Sequence, residues 1–149
     1  MMAKRTEYVR KSVKEVLDDL LVGHREAAFN GPEGALKYLR RTFEGQANLP
    51  LAVRSVAYDL LAEAQAQLGD WEGCSASVAA ALSHLEAAEA EFPHGYRAIL
   101  EGLTAFERGI QAHAELGEFH QAHALAERAV SLGLGAHFQA KADSFAWAR

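Results

Sequence analysis

Apolar residues recur along this chain in steps of three and four, the spacing that places side chains on one face of an α-helix. Val9, Val13, Val16, Leu17, Leu20 and Leu21 begin the first stripe, which Ala27 and Ala28 extend. Ala35, Leu36, Leu39 and Phe43 make a second, and Val53, Val56, Ala57, Leu60, Leu61, Ala64 and Leu68 a third. Trp71, Cys74, Val78, Ala81, Leu82 and Leu85 form the fourth, and Tyr96, Ile99, Leu100, Leu103, Phe106 and Ile110 the fifth. Phe119, Ala122, Ala126, Ala129 and Val130 form a sixth, and Phe138, Ala142 and Phe145 a short last one. Each stripe covers about 100° of a helix and must be buried against a neighbour. No sustained period-two run of Val, Ile and Thr is present, so the expected fold class is all-α.

The breaks between stripes are short. Asn30-Gly31-Pro32, Leu68-Gly69-Asp70-Trp71 and Leu116-Gly117-Glu118-Phe119 each place a residue tolerant of left-handed φ at a helix end, with the next helix starting almost at once. Asp70 and Glu118 then stand where a helix N-terminus favours negative charge. Links this tight force antiparallel hairpins. Two of the turns align directly: Gln67-Leu68-Gly69-Asp70-Trp71-Glu72-Gly73-Cys74 on Glu115-Leu116-Gly117-Glu118-Phe119-His120-Gln121-Ala122, at an offset of 48 residues. A looser copy, Asn30 to Ala35, lies 39 residues before the first. A repeated helical hairpin is the signature of a solenoid.

On these residues the chain, from about 10 to 148, resembles the tetratricopeptide repeat family. The Gly-acid-aromatic turn is followed by a small residue, here Ala35, Cys74 and Ala122. The late Ala-apolar pair is Ala81-Leu82 and Ala129-Val130, with Thr42-Phe43 as the divergent copy. Gly23 and Ala62, preceded by Val22 and Leu61, match the small residue of the first helix, and Tyr58 and Phe106 its large early residue. Small residues let paired helices approach, and the turn aromatics Trp71 and Phe119 are expected to be mostly buried between hairpins. The sequence also departs from the family. Offsets of 39 and 48 exceed a period near 34, so helices near 83–92 and 95–105 are expected to be extended. Gly109-Ile110 inverts the small-residue order, and the closing proline is missing. The resemblance implies a short α-solenoid of about three hairpins, over about 8–45, 51–92 and 95–133, and a C-terminal helix over about 136–148.

It further implies a concave groove, lined by the first helices of the hairpins, that takes an extended or helical segment of another protein. By position the lining is Leu17, Leu20 and His24, then Asp59 and Glu63, then Glu107 and Gln111. The Lys, Arg and Asn with which a chaperone-adaptor subset of the family reads a C-terminal carboxylate are absent from these positions. A groove grading from apolar to acidic favours a partner with a hydrophobic stretch followed by Lys or Arg. The expected function is therefore non-catalytic protein binding, without a cofactor, with self-association open.

Charge sharpens this picture. Lys plus Arg is 15 and Asp plus Glu is 20, a net of −5, which argues against a protein built to grip phosphate backbones. The distribution is uneven: residues 1–54 carry a net of +3 and residues 55–149 a net of −8. Lys4, Arg5, Arg10, Lys11 and Lys14 cluster near the start, with Lys37, Arg40 and Arg41 further on. A nucleic-acid surface needs basic and aromatic groups on one face, and the first cluster offers only Tyr8, so a nucleic-acid-contacting regulator is the less favoured alternative.

The other alternative is a metal-dependent helical enzyme. His113, His120 and His123 fall within eleven residues, beside Glu115 and Glu118, and His120 and His123 are three apart on one helix. Against this, His113 continues the stripe of Leu103, Phe106 and Ile110 and is expected in the core, while His120 is expected to face solvent. A di-iron bundle wants two Glu-x-x-His motifs; only Glu91-Phe92-Pro93-His94 matches, across a proline. His24 and His84 are isolated. The single cysteine, Cys74, excludes an intrachain disulfide and sits where a small apolar group is wanted. No glycine-rich phosphate loop and no serine nucleophile elbow occurs. No run of about 18 apolar residues spans a bilayer, and the basic N-terminus lacks a signal-peptide apolar region, so a cytoplasmic protein is expected.

Overall fold

The computed structural model describes residues 12–45 and 48–148. Among them eight α-helices run in order: α1 (Val13–Ala28), α2 (Gly31–Gly45), α3 (Leu51–Gln67), α4 (Trp71–Glu91), α5 (Tyr96–Gly102), α6 (Ala105–Glu115), α7 (Phe119–Ser131) and α8 (His137–Ser144). A 3₁₀ turn, Ala146–Ala148, follows. Helix starts are set by local chemistry. The Ser12 hydroxyl accepts the Glu15 N–H at 3.2 Å to cap α1, and Asp70 accepts the Gly73 N–H at 3.0 Å to cap α4. The turns work as their sequences require: Gly31, Gly69 and Gly117 hold φ of +79°, +74° and +75°, a region that costs a side-chain-bearing residue energy.

Every helix before the last except short α5 packs on its successor, and α4 also reaches past α5 to pack on α6. α3 also touches α1 and α6. Two apolar clusters result. Leu20, Leu39, Leu49, Val53 and Ala57 form the first, and Val78, Leu82, Leu85, Leu100, Phe106, Ile110 and Phe138 lie in the larger second. α3 joins them, because Val53 and Ala57 belong to one and Ala62 to the other.

The α3–α4 pair is close because its contact residues are small. Ala52, Ala57, Ala62 and Ala81 are fully buried, and Cys74 fills the small-residue position predicted for it. Two polar links cross the seam without leaving a polar atom orphaned. The Ser55 hydroxyl donates to the Ala81 carbonyl at 2.7 Å, and Ser77 Oγ meets the Gln65 amide at 2.6 Å.

One expectation is corrected. The stripe from Tyr96 to Ile110 is not one helix: Leu103 is extended, with ψ 142°, and α6 starts afresh after Thr104. A carboxylate from α3, described below, takes the Thr104 N–H and starts the new helix. The expected extension of the preceding helix does occur, since α4 runs to Glu91. Trp71 and Phe119 are mostly but not fully buried. Trp71 flanks the larger cluster, and Phe119 packs on Phe145 and Trp147, at centroid separations of 6.2 and 5.1 Å. The full plug is instead Phe106, 1% exposed, with Phe138 edge-on at 6.3 Å. Replacing Phe106 with Ala is expected to cost about 3–5 kcal/mol in urea unfolding. Replacing Trp147, 71% exposed, is expected to cost no more than about 0.5 kcal/mol.

Candidate functional site

The residues expected to line a groove on α1, α3 and α6 are largely committed inside the fold. Leu20 is buried in the first cluster and Leu17 packs beside it. His24 is half-buried, and that burial lowers its pKa. Asp59 is only 6% exposed. Its carboxylate accepts the Thr104 N–H at 3.2 Å and the Thr104 hydroxyl at 3.3 Å, so it caps α6 from α3. One turn along α3, Glu63 forms an ion pair with Arg108, whose Nη2 donates to it at 2.9 Å and whose Nη1 donates to Gln111 at 3.0 Å. Glu107 is exposed beside His137 Nε2, at 3.2 Å. The acids at 59 and 63 thus spend their charge on α6 rather than on an open groove. The physical reason is that α6 begins in mid-chain with a bare N-terminus, which a carboxylate stabilises.

The two carboxylates respond differently. Burial dominates at Asp59 and pushes it from 3.8 up to about 6, despite the opposing bonds from Thr104. Arg108 dominates at Glu63 and holds it below the usual carboxylate range. Beneath them the Cys74 thiol, raised to about 11 by burial, is protonated and unreactive at neutral pH.

The histidines do not converge. The His113 side chain is largely buried, 20% exposed, and its Nδ1 lies 3.0 Å from Glu118 across the α6–α7 turn. His123 is buried with Nδ1 2.9 Å from Glu127, while His120 is exposed. Among the described residues no group of three His, Cys, Asp or Glu stands close enough to share a metal ion. His84 donates from Nδ1 to the Ala80 carbonyl at 2.7 Å and stacks on Tyr58 at 5.2 Å. Of the basic residues, Lys14, Lys37, Arg40 and Arg41 are exposed, whereas Lys4, Arg5, Arg10, Lys11 and Tyr8 lie outside the described residues.

A different concavity stands open. α4 and α7 both lie against α6 without reaching each other along their backbones. Between them is a cleft of about 300 Å³. Ser75, Val78, Ala79, Leu82, Ser83 and Glu86 line it from α4, His113 from α6, and Leu125 and Arg128 from α7. Its floor is apolar, and the Glu86–Arg128 ion pair bridges the two walls at the rim. The Arg128 guanidinium lies 5.9 Å from the Phe106 ring centroid, a cation–π contact that fixes it. The depth depends on Gly109 in α6: a β-carbon there would stand 2.5 Å from Leu125 Cδ2 and 2.8 Å from Val78 Cγ1. Of these residues, sequence reading singled out only His113 as a candidate ligand. The usable signal was charge, since few cations among many acids in the second part of the chain implies committed arginines.

No helix among the described residues is long and apolar enough to cross a membrane. Comparison with family models, with curated proteins and with solved structures found no significant match.

The Asp59 geometry has a pH consequence. A group whose folded pKa is raised binds its proton more tightly when folded, so its stabilisation is complete below the unfolded pKa and lost as pH rises through about 6. Wild-type stability minus that of Asp59→Asn is expected to fall by about 2 kcal/mol between about pH 4 and pH 7, measured by urea unfolding. A pH-independent difference would contradict the assignment.

Proposed function

We propose that this chain is a short α-solenoid of the tetratricopeptide type whose work is non-catalytic binding of another protein, with the α4–α7 cleft as the seat of a partner side chain. The observation that carries this reading is the cleft itself. An apolar floor of Val78, Leu82 and Leu125 under a polar rim is the arrangement that buries an anchor residue and orients it by its edges. The succession of helices packed on their sequence neighbours supports the solenoid. So do the glycine turns and the small residues at Ala35, Cys74 and Ala122, all buried. The cleft lies on the second helices of two adjacent hairpins, opposite the face that the family resemblance favours. That shift follows from the acids on α3, which are consumed in capping and pairing α6.

Ala79 is exposed at the cleft wall, so a tryptophan there occupies the cleft without entering the core. Wild-type protein recovered from its native cells is expected to retain a stoichiometric partner that Ala79→Trp loses while its melting temperature stays unchanged. Equal retention by both proteins would remove the cleft from the account.

A further inference from the structure

The chemistry of the partner follows from the wall of the cleft, and this step rests on the interaction reading above. We infer that the cleft takes a cationic amphipathic helix, with an apolar side chain on the floor and lysine or arginine toward both ends. The lining residues Ser75, Ala79, Leu82 and Glu86 follow helical spacing on α4. The same face continues to Glu72 at one end and Glu89 at the other, both exposed. Those end positions are about 25 Å apart along the helix axis, the length of a partner helix of four to five turns laid beside α4. Between them the exposed side chains other than Glu86 are small, so another helix can approach closely.

The α4 side of this surface carries charge of one sign. α4 is 21 residues long and contains Glu72, Glu86, Glu89 and Glu91 but no Lys or Arg. The cation of the facing wall, Arg128, is paired with Glu86, and His113 is turned to Glu118. Glu127 takes His123, and Glu91 accepts the Leu51 N–H at 2.9 Å. Glu72 and Glu89 form no ion pair with another described residue, so a docked helix meets uncompensated negative charge at both ends of the wall. A cationic partner gains from that arrangement, and an anionic one is repelled at both ends.

The test uses three fluorescein-labelled synthetic peptides of about 18 residues, a helix-in-groove length. All share one leucine stripe and carry Lys, Ser or Glu at the polar positions. Anisotropy titrations use the full chain, the Ala79→Trp variant and an E72K/E89K double variant, with circular dichroism confirming that each is folded. The Lys peptide is expected to bind roughly tenfold more tightly than the Glu peptide, with affinity falling as salt rises. Ala79→Trp is expected to lose that binding, and E72K/E89K to reduce or reverse the preference for lysine. Equal affinity for all three peptides, each lost in Ala79→Trp, would overturn the cationic assignment and leave the cleft as the binding site. Lys-peptide binding untouched by Ala79→Trp would overturn both. Self-association of the unliganded chain abolished by Ala79→Trp would place a second copy in the cleft and also overturn the assignment.

Discussion

The arrangement of the second half of the molecule depends on one missing side chain. Gly109 lets α6 come so close to α4 and α7 that even a methyl group would collide with Val78 and Leu125. Both of those residues are also on the cleft floor. The close approach therefore does two things. It lets Phe106, one turn earlier on α6, reach full burial, and it holds α4 and α7 apart at a fixed separation on a common support. Interiors packed at crystal-like density transmit such a constraint directly, because no slack volume absorbs it.

α3 supplies the complementary restraint. It is buried on most of its circumference, belongs to both apolar clusters and touches α1, α2, α4 and α6. Its carboxylates address α6 at two successive turns, Asp59 at the bare N-terminus and Glu63 at Arg108. The Asp59 contact is costly to keep ionised, since desolvation outweighs the bonds from Thr104. Its value lies in specificity: a buried acceptor that only the start of α6 satisfies sets where α6 begins. Glu63, less buried and bidentate to a guanidinium, keeps its charge.

The helical character and most helix boundaries were legible in the sequence, because glycine turns and three-four periodicity are local signals. Gly69 and Gly117 act at the positions their motifs indicated, and Cys74, just after the first of those turns, is small and fully buried. What was not legible is non-local. The stripe from Tyr96 to Ile110 reads as one helix, and only the arrival of Asp59 from 45 residues away shows why it is two. The surroundings of Asp59 and Glu63 were hidden for the same reason: spacing places them on one face but does not say that this face meets α6. The cleft was invisible because Ser75, Ala79 and Ser83 carry no distinctive chemistry, and Gly109 registered only as an irregularity in the order of small residues.

The contact of Gly109 with Val78 and Leu125 thus underlies the cleft. The most direct measurement is a methyl-resolved NMR NOE experiment on the folded chain. The account predicts that the Gly109 α-protons show strong cross-peaks to methyl groups of both Val78 and Leu125. Cross-peaks to only one of them, or to neither, would contradict the three-helix junction on which the cleft is built.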